Sequence, residues 1–273
     1  MHIVVTRAAL TAALCGVLAA CHHASSTPPA PRPSSPPVAA APTYASGTDV
    51  IAAMHDRYAG KWYSTITFTQ KTSRLTAGDK WNVQTWYEAA HVPGRLRIDF
   101  DPIGAGNGVI YAHDSVFTVS GGRALPGQPS INPLLLLGFD VYGQPPARTN
   151  ALLRQEGFDL ERIHRATFEN RPMLVVGALA GDSRRKQFWI DAEHLYFVRL
   201  IEAQPRDTSR LQDIRFARYV RDGTAWVAPR VEIWTDGKLV FHEDYEGIRT
   251  NVPLDEAIFD PMKWKTARHW IAP

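Results

Sequence analysis

The chain has 273 residues, of which 45% are hydrophobic, and its formal net charge at pH 7 is +3. This near balance of charge excludes the strongly basic surface that most nucleic-acid-binding proteins carry. A chain of this length can bury a sizeable apolar core.

The N-terminus has the features of a bacterial lipoprotein signal peptide, which we predict over residues 1–20. Arg7 precedes an uncharged, mostly apolar run, and Leu18-Ala19-Ala20-Cys21 has the Leu-small-small-Cys pattern of a lipobox. We expect cleavage before Cys21 and acylation of that residue by several chains, which suffice for stable anchoring. Cleavage would also remove Cys15, so the mature chain could form no internal disulfide. The alternative is an ordinary secretory signal in which Cys21 is incidental.

A tether is predicted over residues 21–47, because the stretch 22–46 contains seven prolines among Ala, Ser and Thr. Such a composition favours extended conformations and cannot bury a core. The neighbouring His22 and His23 form an incomplete metal shell, so we interpret them as solvated linker residues. An aspartate after the lipidated cysteine favours retention at the inner membrane in many bacteria. Since His22 occupies that position, the expected location is the outer membrane, with the protein facing the periplasm.

One globular domain is predicted over residues 48–273, beginning with a helix over 48–60 that Thr48 caps and Gly60 ends. Beyond the helix, apolar and polar residues alternate with the period of strands that bury one face. Asp222-Gly223 and Asp236-Gly237 mark tight hairpins, and the short connections indicate antiparallel pairing. The predicted strands are 64–70, 81–88, 94–101, 108–112, 115–119, 164–168, 173–179, 186–190, 196–203, 213–220, 226–234 and 239–245.

Two helical segments interrupt these strands. Asn132-Pro133 is a cap and first-turn pair that leads into four consecutive leucines, and residues 149–157 have the spacing of a short helix. Four consecutive leucines cover every side of one helical turn. They must therefore face a core, a cavity or a partner.

The domain shows no sequence motif of an enzyme. It lacks a Gly-x-Ser-x-Gly elbow and a His-Glu-x-x-His pair, and its Gly-rich stretch 104–108 precedes a strand instead of a helix. Asp99 and Asp101 share a strand face with Arg95 and Arg97, which predicts a solvated charge ladder. We therefore predict no enzymatic activity, no cofactor and no metal site. A hydrolase with an unrecognised site is the remaining enzymatic alternative.

One strand face and the leucine run could together enclose a cavity that binds acyl chains. Each buried CH₂ of such a chain contributes about 0.8 kcal/mol, so no polar contact is required. The alternative is a packed core in which the same side chains contact one another. The candidate cavity residues are Ile66, Phe68, Leu96, Ile98, Phe100, Leu134, Leu135, Leu136, Leu137, Phe139, Phe188 and Ile190.

Several short motifs occur in an order that resembles the LolA/LolB lipoprotein-sorting superfamily. After the leading helix come Phe-x-Gln at 68–70, Pro-x-x-x-Arg at 93–97, the apolar helical insert, Phe-Trp-Ile-Asp at 188–191 and Leu-Asp-x-x-x-Phe at 254–259. The resemblance implies a mainly β (α+β) fold: an incomplete antiparallel β-barrel of about eleven strands, wrapped around a few helices. Between the sheet and the helices, it also implies an apolar cavity for acyl chains.

The family includes a soluble periplasmic carrier, a lipid-anchored outer-membrane acceptor and envelope-stress sensors of the RseB type. This chain departs from the carrier because the carrier's gating arginine aligns near Val92. It has no clear match to the acceptor's exposed loop leucine, whose region corresponds to the Gly-rich stretch 104–108. The sequence thus predicts an anchored protein that binds acyl chains of lipids or lipoproteins as acceptor, local carrier or sensor. The alternative is a structural or regulatory lipoprotein that acts through a protein partner.

Overall fold

A computed structural model describes residues 43–204 and 207–271 of the chain. The predicted signal peptide, Cys21 and most of the predicted tether fall outside these residues. All the described residues belong to a single unit that begins at Thr43. In this part of the chain, no helix combines the length and the apolarity that crossing a bilayer requires.

A large antiparallel sheet contains most of the strands, and a separate hairpin contains two more. Most of the predicted strands are present, and several are longer than predicted. The strands are β1 (Thr65–Leu75), β2 (Trp81–His91), β3 (Arg95–Phe100), β4 (Asn107–Ala112), β5 (Ser115–Ser120), β6 (Arg123–Ala124), β7 (Gln128–Pro129), β8 (Ile163–Phe168), β9 (Arg171–Val176), β10 (Gln187–Asp191), β11 (Phe197–Gln204), β12 (Asp207–Ala217), β13 (Val220–Asp222), β14 (Ala225–Val227), β15 (Arg230–Thr235) and β16 (Lys238–Thr250).

The sheet has 14 strands in the order β6-β5-β4-β3-β2-β1-β16-β15-β12-β11-β10-β9-β8, with β7 paired to β5. It does not close on itself, because β6 and β8 are not paired with each other. The predicted class, a mainly β fold with an open antiparallel sheet and few helices, is confirmed. The sheet holds more strands than the predicted eleven, and the short β6 and β7 account for part of the excess.

Pairing of β1 with β16 joins an N-terminal meander, β1 to β6, to the C-terminal strands. In this seam Gln70 lies opposite Tyr245 and Thr72 lies opposite Glu243, with a register shift between Thr67 and Thr69. Antiparallel strands paired residue by residue present opposite residues to the same face. The seam therefore brings side chains from the two ends of the domain onto one wall.

The three α-helices pack on one face of this sheet: α1 (Gly47–Tyr58), α2 (Pro133–Gly138) and α3 (Pro146–Gln155). Four short 3₁₀ turns complete the described elements, at Ile103–Ala105, Asp140–Tyr142, Glu256–Phe259 and Pro261–Lys263. Buried residues of all three α-helices belong to one apolar core with strands β9 to β12 and β15. The sheet thus curves around its helices as an open layer.

The cap of α1 differs from the sequence prediction. Ser46, not Thr48, is the N-cap: its hydroxyl accepts from the backbone N–H of Asp49 (3.3 Å), and the Asp49 carboxylate accepts from the N–H of Ser46 (3.0 Å). This reciprocal capping box satisfies two backbone donors, whereas a cap at Thr48 would satisfy only one. The helix consequently begins before Thr48.

Helix α2 forms as the sequence predicts, since the side chain of Asn132 accepts hydrogen bonds from the N–H groups of Leu134 (3.0 Å) and Leu135 (3.3 Å). The leucine run divides between two environments. Leu136 and Leu137 are in the core, whereas Leu134 and Leu135 face a cavity described below. Helix α3 starts earlier than predicted because Pro146, in its first turn, suits a helix start.

The predicted strand over 226–234 is wrong, because the chain forms two strands there. Pro229 follows β14 and cannot donate a ladder hydrogen bond, so pairing stops and resumes in β15. β14 pairs with β13 in the separate hairpin, whereas β15 pairs with β12 and β16.

The predicted solvated charge ladder is also wrong for Arg97 and Asp99, which are 2% and 1% exposed. The Arg97 guanidinium makes a bidentate ion pair with Asp99 (2.8 and 2.9 Å) and lies 3.8 Å above the ring of Trp264. The C-terminal segment 251–271 covers this face of β3, and its Ile258 carbonyl accepts from Arg97 (3.3 Å). Burial here results from a distant segment that the strand's own pattern does not reveal.

We expect Asp99→Asn to destabilise the domain by about 3–5 kcal/mol, because it leaves the Arg97 charge buried without its counter-ion. Asp101→Asn, at an exposed position of the same segment, is the matched control and should change stability by less than about 0.5 kcal/mol. Urea unfolding followed by tryptophan fluorescence measures both. Equal stability of the two variants would contradict a structural role for the buried pair.

Candidate functional site

A cavity of about 100 Å³ lies between α2 and the inner face of the sheet. Strands β1, β2, β3, β12, β15 and β16 form its floor. The lining side chains range from buried Leu135 to partly exposed Leu96, Ile98, Leu134 and Phe139, so the cavity communicates with solvent. A pocket of this composition, mostly apolar with a few polar groups, has the general character of a small-molecule site.

The twelve candidate cavity residues fall into two main groups. Six line the cavity: Phe68, Leu96, Ile98, Leu134, Leu135 and Phe139. Five are packed in the protein's core: Ile66, Leu136, Leu137, Phe188 and Ile190. Phe100 is half-exposed, and its ring centroid lies 4.8 Å from that of Trp86. Their role as lipid-binding residues stays a prediction.

Sequence reasoning missed the other seven lining residues: Glu88, Ala90, Asn132, Phe216, Val231, Glu243 and Tyr245. The two glutamates are the informative ones. Glu88 lies opposite Phe68 on β1 and Ile98 on β3, so it shares their inward face. Glu243 lies opposite Val231 on β15 and reaches the same wall. Only the strand registers reveal that these residues face the cavity, and registers cannot be deduced from this sequence.

The two carboxyl groups lie in apolar surroundings that disfavour their ionised forms. Burial, reinforced by the charge of Glu243, raises the pKa of Glu88 well above its ordinary value. Burial raises the pKa of Glu243 to about 7, although hydrogen bonds from Tyr245 and Gln70 favour its ionised form. The Tyr245 hydroxyl donates to Oε2 of Glu243 over 3.0 Å, and its ring stacks on Phe68 with centroids 4.0 Å apart.

The raised pKa values of the two glutamates make the stability of the protein depend on pH. A carboxyl group whose pKa is raised by folding holds more protons in the native than in the unfolded state. For Glu243, the free energy of unfolding therefore falls as the pH rises from the ordinary pKa of 4.5 toward the raised pKa of about 7. A cation placed beside the two carboxyl groups would favour their ionised forms and oppose this loss of stability.

A polar contact also fixes the end of α2, next to the cavity residue Phe139. Oδ1 of Asp140 accepts a hydrogen bond of 2.8 Å from the backbone N–H of Gly94, in the turn between β2 and β3. Asp140 directly follows α2 and its C-cap Phe139, so the contact joins the end of this helix to that turn. Burial raises the pKa of Asp140 to about 7, whereas the Gly94 N–H lowers it. Val92 is a buried apolar residue next to this turn.

Asp140→Ala should weaken the attachment of α2 to the β2–β3 turn, because it leaves the Gly94 N–H without its acceptor. An unsatisfied buried donor of this kind costs about 1–3 kcal/mol. We expect faster hydrogen exchange in residues 92–95 and 132–142, measured by mass spectrometry. Asp140→Asn keeps an acceptor oxygen and should retain near-native exchange. Identical exchange in Asp140→Ala and the wild type would contradict the proposed contact.

No metal centre is present among the residues described. In the ranges 43–204 and 207–271, no three His, Cys, Asp or Glu side chains are grouped so that they could hold a metal ion.

Comparison with known proteins identifies the fold. A scan against protein-family models finds no match, and a search of curated proteins finds none either. Among solved structures, one neighbour is described as an outer membrane lipoprotein-sorting protein domain from Vibrio parahaemolyticus. It has 12% sequence identity and a TM-score of 0.54, over 80% of this chain and 97% of that one.

Two further neighbours cover similar shares. A DUF1329 family protein from Desulfovibrio piger has 14% identity and a TM-score of 0.51, over 78% of this chain and 95% of its own. A LolA superfamily protein from Nitrosomonas europaea has 10% identity and a TM-score of 0.48, over 78% of this chain and 96% of its own.

The chain thus shares its fold with the outer membrane lipoprotein-sorting protein domain from Vibrio parahaemolyticus. The resemblance that its sequence motifs indicate is confirmed at the level of the fold, in this chain's open antiparallel sheet and enclosed helices.

Proposed function

We propose that this protein binds acyl chains of lipids or lipoproteins in the cavity beneath α2. It acts without enzymatic activity as an acceptor, local carrier or sensor. Acylated Cys21 holds it at the outer membrane, where it faces the periplasm, and the proline-rich tether allows the domain some reach. The proposal extends the LolA-like fold to the ligand class that this cavity chemistry fits.

The observation that supports the proposal is a row of partly exposed apolar side chains that line the cavity between α2 and the sheet: Leu96, Ile98, Leu134 and Phe139. These residues cannot all be explained as core, because they border open space. Each CH₂ that enters gains about 0.8 kcal/mol, so even a short part of an acyl chain binds usefully.

The present cavity is smaller than the chain it is proposed to bind. Its volume of about 100 Å³ is below the roughly 300–1,000 Å³ of typical ligand pockets. Binding of a whole acyl chain therefore requires α2 to move away from the sheet. The helix is short, and its tie to the β2–β3 turn is the Asp140 hydrogen bond. The Asp140 hydrogen bond thus helps to hold α2 against the sheet, together with the core packing of Leu136 and Leu137.

A second function, contact with a protein partner, is favoured by a groove on the outer side of the domain. This groove has a volume of about 740 Å³, and among its lining residues Met262 and Leu125 are 87% and 49% exposed. Large exposed apolar side chains that cluster in this way are typical of interaction surfaces. The groove is separate from the cavity, so variants at the two places distinguish the functions.

Leu134→Glu should abolish acyl binding, because it places a charge among the apolar cavity walls. We would purify the mature chain with Cys21→Ser and measure co-purified lipid by native mass spectrometry and affinity for 1-decanol by calorimetry. Leu125→Glu, in the outer groove, is the matched control and should bind like the wild type. A wild-type protein with no bound lipid and no affinity for 1-decanol would contradict the proposal and favour the partner function.

Cys21→Ala should release the protein from the membrane fraction of cells, because the acyl chains that anchor it are lost. Fractionation and incorporation of labelled palmitate measure the anchor, with Cys15→Ala as the control that leaves labelling unchanged. Palmitate labelling that persists in Cys21→Ala would place the acylation elsewhere.

A further inference from the structure

The polar end of the cavity has an unusual composition for an apolar site: two carboxyl groups and no basic partner. We propose that the cavity recognises an amphiphile that carries a primary ammonium group beside its alkyl chain, with the ammonium held between Glu88 and Glu243. This inference rests on the proposed acyl-binding function and specifies its ligand.

The first support is the contrast with other carboxylates of the protein. Arg199 and Arg215 both donate to Asp213 (2.6 Å each), and Arg230 donates to Glu232 (2.6 Å). In these pairs the protein supplies its own cation. The charge of each of these carboxylates is already compensated by an arginine, so a bound cation is not required there.

Glu88 and Glu243 lack any such partner. Glu88 is 6% exposed, and within residues 43–204 and 207–271 its pKa responds to burial and to the charge of Glu243, with no cation beside it to oppose them. Glu243 receives hydrogen bonds from two neutral groups, the hydroxyl of Tyr245 and the side chain of Gln70. The charged or titratable groups that face the pair are the two glutamates themselves, Tyr245 and, near Glu88, Tyr111. None of these groups is a cation.

Position is the second support. Both carboxyl groups line the same cavity as Leu96, Ile98 and Leu134, so a ligand whose alkyl chain contacts these residues carries its polar group to the acidic pair. A primary ammonium has three N–H donors, enough to bind both carboxylates and a further acceptor. An anionic headgroup would instead meet like charge, and a hydroxyl would satisfy only part of the pair.

Proton release gives the inference a distinctive signature. Burial raises the pKa of Glu88 well above its ordinary value and that of Glu243 to about 7, so the pair carries protons that it can release near neutral pH. A bound ammonium favours the ionised carboxylates, so binding near pH 6–7 must expel protons to the buffer. A neutral or anionic amphiphile has no such effect.

The test compares three probes of equal chain length by titration calorimetry at pH 7: decylammonium, 1-decanol and decanoate. We expect decylammonium to bind about tenfold or more tighter than 1-decanol, from charge-assisted hydrogen bonds in a desolvated site. Decanoate should bind weakest. The enthalpy of decylammonium binding should vary with the ionisation enthalpy of the buffer, and that of 1-decanol should not.

Glu88→Gln and Glu243→Gln should each reduce the preference for decylammonium while retaining affinity for 1-decanol, which shows that the variants are folded. Glu246→Gln, at an exposed position of β16, is the control and should keep the full preference. Equal binding of decylammonium and 1-decanol by the wild type would overturn the inference and leave acyl binding intact. Failure of all three probes to bind would contradict the proposed function and this inference with it.

Two further arms identify the natural source of the ammonium. Vesicles of phosphatidylethanolamine and phosphatidylglycerol test a membrane lipid, and selective extraction of the first lipid supports that source. A synthetic diacylated peptide tests a lipoprotein, whose binding should be lost when its N-terminal amine is acetylated. Extraction of both vesicle lipids alike, together with equal binding of the free and acetylated peptides, would contradict ammonium recognition.

Discussion

The architecture depends on the pairing of β1 with β16. These strands come from opposite ends of the domain, and their ladder runs from Ile66 and Thr250 to Arg74 and Phe241. Without it, the N-terminal meander and the C-terminal strands would be separate sheets. Because strand register fixes which side chains share a face, this one ladder also determines that Glu88, Phe68 and Glu243 meet on the inner wall. The candidate site is thus a product of a long-range contact.

Around β3, the polar face of the sheet is more deeply buried than the apolar face, which is the opposite of the usual arrangement. The polar face, with Arg97 and Asp99, is the more deeply buried because the C-terminal segment and Trp264 cover it. The apolar face, with Leu96 and Ile98, remains partly exposed beneath α2. Apolar surface that remains partly exposed to water is unfavourable, and a ligand that covers it removes this cost. This asymmetry is the physical reason to regard the inner face as a binding surface.

Local signals in the sequence predicted much of the fold. Period-two alternation located most of the strands, Asp222-Gly223 and Asp236-Gly237 located two hairpins, and Asn132 located the start of α2. The break at Pro229 was also visible, since proline cannot serve in the middle of a ladder. It was missed because the apolar pattern continues across it.

What the sequence could not provide was contact between distant segments. The burial of Arg97 depends on a C-terminal segment that covers it, and nothing in the pattern of β3 itself predicts this cover. Prediction of the Glu88 and Glu243 pair would have required the registers of β2, β1 and β16 together. Likewise, the division of the leucines between core and cavity depends on how α2 is rotated over the sheet, which composition does not determine.

The most direct test of the account is where an alkyl chain lies in the protein. In methyl-labelled protein, nuclear Overhauser contacts from decylammonium should reach the methyl groups of Leu96, Ile98 and Leu134, with the ligand's ammonium end nearest the acidic pair. Contacts to Leu125 and Met262 in the outer groove, with none to the cavity residues, would contradict the account.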